Sequence, residues 1–392
     1  MEWPKAQLAS LCEVFTDGDW IESKSQSPEG VRLIQTGNVG EGNFKDRRDK
    51  SRFISEETFD DLKCCEIFEG DCLVSRLPDP VGRSCILPKS EDRMITAVDC
   101  TILRFKKDKL APEFFNYFSQ SLLYLNTVES LTSGATRKRI SRKNLGLVEI
   151  PTPPIPEQKR IVAILDQAFA DIEQARAKTE QNLKNARELF ESYLQQVFSL
   201  RGEGWIQKKF SECFKLRSGA GLTKKNMIEG PYPVYGGNGI AGMHKEYNLS
   251  EKSVIIGRVG AICGNARFID ENIWLTDNAF LVKDFKFEFD LEFLTYLLNH
   301  KNLRSLARQA AQPVISNSSL SDLKLDFPIE IPTQIEIRKK LELLRFETES
   351  VSNLYKKKLE HLDGLKKSIL QKAFSGELTK TLDGDTNKGA AA

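Results

Sequence analysis

The chain has 392 residues, 40% apolar and 29% charged, with a net charge of +2. That length suggests two or three domains, each able to bury its own core. Its longest apolar runs fall far short of the roughly 20 residues that cross a bilayer, and the near-neutral balance leaves any nucleic-acid contact to local patches. The opening MEWPKAQLAS lacks the basic-then-apolar pattern of a secretory signal, so a cytoplasmic protein is expected. Eight cysteines form no CxxC pair, and neither His244, His300 nor His361 stands at zinc-ligand spacing from a cysteine. Free thiols and no metal are expected.

In chain order, residues 71–76 read as a short strand that leads into a glycine turn at Gly82. Residues 112–118 read as an amphipathic helix started by its proline. The run Arg137, Lys138, Arg139, Ser141, Arg142, Lys143 packs five positive charges into seven residues. By charge alone it reads equally as a set of phosphate contacts and as a solvated loop. A proline-marked exit at 150–156 then opens a long helix with Ile161, Leu165, Ala168, Ile172, Ala175, Thr179, Ala186, Leu189 and Tyr193 on alternating four-three spacing. Phe169, Leu183 and Phe190 lie on faces of this helix that one partner helix cannot cover.

The rest of the chain repeats this plan. Pro154-Ile-Pro-Glu-Gln158 returns as Glu330-Ile-Pro-Thr-Gln334, an offset of 176. Val81-Gly82, Cys85 and Asp99 return as Val259-Gly260, Cys263 and Asp277, an offset of 178. The offsets place roughly 20 extra residues in the first copy, between Glu41 and Gly70. Residues 253–257 form the matching strand, 291–298 the matching helix, and Arg76 and Arg258 end equivalent strands. The second long helix carries Ile337, Leu341, Leu344, Thr348, Val351, Tyr355, Leu362, Leu365 and Ile369 in the same register, the pattern of a coiled-coil seam. The counterpart of the basic run, 309–317, keeps Ile-Ser but not the charges.

Catalytic motifs are missing. Gly237-Asn-Gly-Ile-Ala-Gly242 fits GxGxxG, but no helical apolar stripe follows it, so a glycine loop without a cofactor is expected. There is no GxxxxGK[ST] and no Asn- or Asp-Pro-Pro-aromatic tetrapeptide.

The residues 150–161, Ile-Pro-Thr-Pro-Pro-Ile-Pro-Glu-Gln-Lys-Arg-Ile, resemble the specificity (S) subunits of type I DNA restriction–modification systems. So do the helix ends Gln-Gln-Val-Phe-Ser199 and Gln-Lys-Ala-Phe-Ser-Gly-Glu-Leu378 and the loop Tyr235-Gly-Gly-Asn-Gly-Ile-Ala-Gly242. The second exit departs from the family in lacking the fuller Glu-Gln-x-x-Ile form. The resemblance implies an α+β protein: two β-rich target recognition domains, and two long antiparallel helices in a coiled coil related by an internal pseudo-twofold duplication. The divisions would be a first recognition domain at 1–154, a central helix at 155–202, a second recognition domain at 203–330, a second helix at 331–376, and a disordered tail at 377–392.

Such a subunit is not an enzyme. It reads a bipartite, asymmetric double-stranded DNA target, one half-site per domain. The helices set the gap and dock two modification (M) subunits, which carry S-adenosylmethionine; restriction (R) subunits bring ATP and Mg. Candidate DNA contacts are Arg76, Arg83, the basic run, Lys224, Lys225, Tyr235, Asn238, Arg258 and Asn317. Candidate spacer and partner contacts are Ile161, Leu165, Phe169, Ile172, Leu183, Phe190, Tyr193, Leu341, Leu344, Val351, Tyr355, Leu362, Leu365 and Ile369. The rival readings are a coiled-coil adaptor without DNA readout and a stand-alone DNA methyltransferase.

Overall fold

The computed structural model describes residues 3–134, 137–200, 202–308 and 313–379. The chain divides into two compact units, Met1–Thr179 with Lys357–Ala392, and Glu180–Lys356.

In the first unit, strands Cys12–Asp17, Cys100–Phe105, Cys72–Ser75 and Ser84–Ile86 form an antiparallel sheet in that spatial order. A second sheet runs Arg52–Ile54, Val31–Ile34, Met94–Thr96, Glu66–Ile67, with the middle pair parallel. All four residues of Cys72–Ser75 are buried, as a strand covered on both faces requires. The helix Pro112–Phe118 has its proline in the first turn and buries Phe114, Phe115 and Phe118 against that sheet.

The second unit repeats the order with Lys215–Ser218, Ala279–Lys283, Ser253–Gly257 and Ala266–Ile269. Its smaller sheet is Gly239–His244, Tyr232–Gly236, Trp274–Leu275, again with a parallel pair. Helix Leu291–His300 packs on the larger sheet, its start capped by Asp290. Helix Glu56–Leu62 and strand Glu66–Ile67 have no counterpart among the described residues of the second copy; they lie where the offsets placed the extra residues.

The outer strand of each large sheet is protected differently. In the first unit the loop at Gly42 lies on it, with Gly42 N–H donating to the Ser84 carbonyl at 2.9 Å and Asn116 Nδ2 to the Gly42 carbonyl at 2.7 Å. In the second, the Asn299 side chain takes both main-chain groups of Ala266, at 2.8 and 3.0 Å.

The long helices are Ile155–Ser199 and Ile331–Ser375. Within the first unit they run antiparallel. Ile161, Leu165, Phe169 and Ile172 share a core with Leu370, Ala373 and Phe374, while Arg176 pairs with Asp363 and Lys366 lies 3.6 Å from Glu173. Within the second unit, Leu194 and Phe198 pack with Leu341. Leu183, Phe190, Tyr193, Leu344 and Tyr355 are half-buried, as are Leu362 and Ile369.

The strict heptad needs correction at three places. Leu189, Val351 and Leu365 are 55%, 38% and 47% exposed, whereas Leu194, Phe198, Leu370 and Phe374 are buried. An α-helix of 3.6 residues per turn drifts about 20° per heptad from a 3.5-residue repeat, so the buried column shifts by one residue along these helices.

A glutamine clasps the start of each helix. Gln158 is fully buried; its Nε2 donates to the carbonyls of Lys109 and Pro153 at 3.0 and 2.8 Å, and its Oε1 accepts Ala111 N–H at 2.8 Å. Gln334, also fully buried, makes the same three bonds: to the carbonyls of Glu288 and Pro328 at 3.3 and 2.9 Å, and from Asp290 N–H at 2.9 Å. The departure of the second exit from the family pattern therefore leaves this joint intact. At the far end Gly376, with φ of +77°, closes the second helix. Residues 377–379 form a further helical turn in which Leu378 packs on the first unit's core and Thr379 is buried, against the expected disorder there; 380–392 lie outside the described residues.

Candidate nucleic-acid interface

In the first unit the end of strand Cys72–Ser75 is tied to the basic run through main chain. Arg76 N–H donates to the Asp99 carbonyl at 2.9 Å, and Ile140 N–H donates to the Arg76 carbonyl at 3.3 Å. The Arg76 side chain is turned inward: 4% exposed, donating to the Val98 carbonyl at 2.5 Å, with Asp17 at 3.3 Å. Burial lowers its pKa from the ordinary arginine value, an effect that Asp17 opposes. Arg83 donates to the carbonyls of Val39, Leu77, Pro80 and Thr36 at 2.7 to 3.0 Å. Both expectations need correction. Arg76 and Arg83 brace loops with the donors a base or phosphate would need. Ser141 is likewise a helix cap, its hydroxyl accepting Asn144 N–H at 3.1 Å.

The rest of the run stays at the surface. Arg137 is 73% exposed and 3.8 Å from Asp99, which also holds Arg139 at 2.8 Å. Lys138 pairs with Glu129 at 2.7 Å, and the guanidinium of Arg142 lies 3.4 Å from the Thr16 hydroxyl. Lys143 is exposed. Asp99 and Glu129 offset part of the charge, and the cationic character concentrates at Arg137, Arg142 and Lys143.

In the second unit Arg258 keeps the equivalent main-chain bonds, to the Asn278 carbonyl and from Ile315 N–H, both at 2.9 Å. Its half-buried guanidinium sits over Phe280 at 5.3 Å. Asn238 forms, with Gly237, the two-residue turn between strands Tyr232–Gly236 and Gly239–His244, so the GxGxxG match is a hairpin with no helix after it. The Asn238 Oδ1 accepts Ile262 N–H at 3.2 Å, bracing the neighbouring Gly260 turn. Tyr235 is half-buried on the same hairpin; Lys224 and Lys225 are exposed on the turn Lys224–Asn226, and Asn317 is exposed at the start of Asn317–Leu320. The counterpart of the basic run is described only from Pro313 onward, since 309–312 lie outside the described residues.

The loops leaving the first strand of each large sheet also correspond. A Cβ at Gly18 would lie 2.2 Å from the Thr96 carbonyl oxygen, and one at Gly219 would lie 2.2 Å from that of Leu275. Only glycine allows either approach. Lys224 and Lys225 ride on the second of these loops, and Trp20, 72% exposed, rides on the first. Charge and repeat patterns pass over Trp20, because its counterpart is Gly221. On the long helices, Leu189 and Leu365 occupy the same repeat position, one in each unit, and both are exposed. Among the described residues no three His, Cys, Asp or Glu side chains stand where they could hold a metal, and no helix is long and apolar enough to cross a membrane.

A family model for the type I restriction modification DNA specificity domain matches residues 1–182 and again 202–360. The specificity subunit of the type I restriction enzyme EcoprrI of Escherichia coli is 30% identical over 221 residues, covering 53% of this chain and 54% of that protein. The chain thus spans about half the length of that relative. The StySPI specificity subunit of Salmonella potsdam is 26% identical over 329 residues, covering 71% of this chain and 68% of its own. Two solved structures share the fold at 17% identity. One, from work on complex assembly and conformational transition of the type I R-M system, has a TM-score of 0.79 and coverage of 96% and 98%. The other, the HsdS subunit from Thermoanaerobacter tengcongensis, has a TM-score of 0.64 and coverage of 96% and 97%. Two matches to one family model, on two units with one strand order, show that the chain belongs to the type I restriction–modification DNA specificity family, as a specificity subunit that carries the domain twice.

Proposed function

We propose that each unit reads one half of a bipartite, asymmetric double-stranded DNA target. The observation that carries this is one framework bearing unlike side chains. Asp17 and Trp20 of the first unit stand where the second has Ser218 and Gly221, and the charged run has no charged counterpart at 313–317. The same main chain therefore presents two different surfaces, as two different half-sites demand. In this reading the chain is not itself an enzyme and binds no cofactor. Two M subunits supply S-adenosylmethionine for methyl transfer, R subunits supply ATP and Mg, and the assembly works on DNA in the cytoplasm. The exposed, equivalently placed Leu189 and Leu365 favour two copies of one partner.

The test is methylation mapping, by single-molecule sequencing, of cells carrying this chain with its M subunit. A single two-part motif with different halves is expected. A palindromic or one-part motif would refute the half-site reading, and methyl transfer by the isolated chain would refute its non-catalytic role.

A further inference from the structure

Trp20 is held in water by a backbone fixed on both sides. Gly18 N–H donates to the Cys100 carbonyl at 2.9 Å, Asp19 N–H to the Thr96 carbonyl at 2.7 Å, and Val98 N–H to the Asp19 carbonyl at 3.0 Å. The Asp19 carboxylate accepts Cys65 N–H at 3.1 Å, and Ile21 packs on the cluster of Val31, Leu33 and Ile54. The indole between these two anchors is nonetheless 72% exposed, while Trp3, Trp205 and Trp274 are half-buried. Tryptophan carries a large apolar surface that folds ordinarily cover, so a rigidly presented, uncovered indole is a surface prepared for a partner.

Its neighbours say which partner. Val98, bonded to Asp19, precedes Asp99, the anchor of Arg137 and Arg139. Thr16 and Asp17, just before Trp20 in the chain, face Arg142 and Arg76. Of the acids here, Asp17 and Asp99 are matched to those arginines, Glu22 is held by Lys24 at 2.8 Å, and the Asp19 carboxylate is turned onto Cys65 N–H. Leu343, Phe346 and Leu354 are also exposed, but they lie on a long helix and belong to the second unit.

We propose that Trp20 is a specificity-determining DNA contact of the first unit. The indole packs against base edges in a groove while Arg137, Arg142 and Lys143 hold the flanking phosphates. Gly221 at the equivalent place denies the second unit this contact, so it belongs to one half-site. The inference rests on the DNA-reading proposal above, and the experiment separates the two.

Fluorescence anisotropy is measured with the full chain co-expressed with its M subunit, as wild type, Trp20→Ala and Trp20→Phe. The probes are a duplex carrying the target found by methylation mapping and a scrambled duplex of equal length. W20A should bind the target at least about tenfold more weakly and the scrambled duplex within about twofold of wild type, with the salt slope unchanged; W20F should fall between. Equal weakening on both duplexes, or none, overturns the proposal. So does loss of M association with target discrimination intact, which would make Trp20 a protein contact. A wild type that discriminates while W20A discriminates equally well overturns the tryptophan alone. A wild type that fails to discriminate overturns the DNA-reading proposal and this one together. The side chain makes little of the core, so the unfolding transition of W20A should match wild type and exclude misfolding as the cause.

Discussion

Replacing Gln158 with leucine keeps the side chain's bulk but removes both ends of its amide. Three main-chain groups, the Lys109 and Pro153 carbonyls and the Ala111 N–H, then lose their partner at a site that water does not reach. Each buried group left unpaired costs about 1–3 kcal/mol, and the apolar leucine recovers part of the total. A net loss of about 3–5 kcal/mol is expected, a large share of the roughly 5–15 kcal/mol that holds an ordinary domain. Gln334→Leu should cost the second unit about as much, because the same three bonds are lost. Q158E keeps the acceptor but turns the donor end into an oxygen facing two carbonyls, so at neutral pH it should cost no less. Urea unfolding of the full chain, followed by far-UV circular dichroism, reads these losses. A cost below about 1 kcal/mol in either unit would refute the clasp. A difference above about 2 kcal/mol between units would refute its equivalence.

Changing Arg142 and Lys143 to glutamine should weaken binding to all DNA sequences and flatten the log–log salt slope by up to about 2, while K138Q, already paired with Glu129, should change it less; equal slopes in a salt titration would make the run a solvated loop. His300 stacks on Phe198 with centroids 4.9 Å apart, and burial lowers its pKa, so the unfolded chain takes up its proton first as pH falls. The second unit should therefore lose stability as pH drops below about 6.5, and His300→Gln should remove that part of the dependence in thermal unfolding across pH 5 to 7. A seven-residue insertion between Thr179 and Ala186 that keeps the heptad lengthens the helix by about 10 Å, so the spacer in the methylated motif should grow by up to about three base pairs with both halves unchanged. Altered half-site bases with an unchanged spacer would contradict the ruler.

What the sequence makes legible is whatever repeats. The two long helices, the strand–glycine-turn units and both clasp glutamines show because each appears twice at nearly constant spacing, and chance does not keep such order. What stays hidden depends on where side chains turn after folding. An arginine beside a glycine turn looks the same in sequence whether it donates to phosphate or, like Arg83, to four carbonyls of its own loop. Ser141 reads as a polar neighbour of basic residues until its place at a helix start is known. Trp20 escapes for the opposite reason: lacking a counterpart, it has no echo for repeat analysis to find.

The joints between framework and reading surface have one more property. Each glutamine clasp ends on carbonyls and amide N–H groups alone, and at Arg76 and Arg258 the partner loops are also held by the arginines' own main-chain N–H and C=O. Main chain is common to all residues, so these attachments survive almost any exchange of the side chains they carry. A lineage can rewrite the bases it recognises by drift or recombination without renegotiating how the reader is mounted. The fold is thus a socket whose fit is indifferent to the tool placed in it.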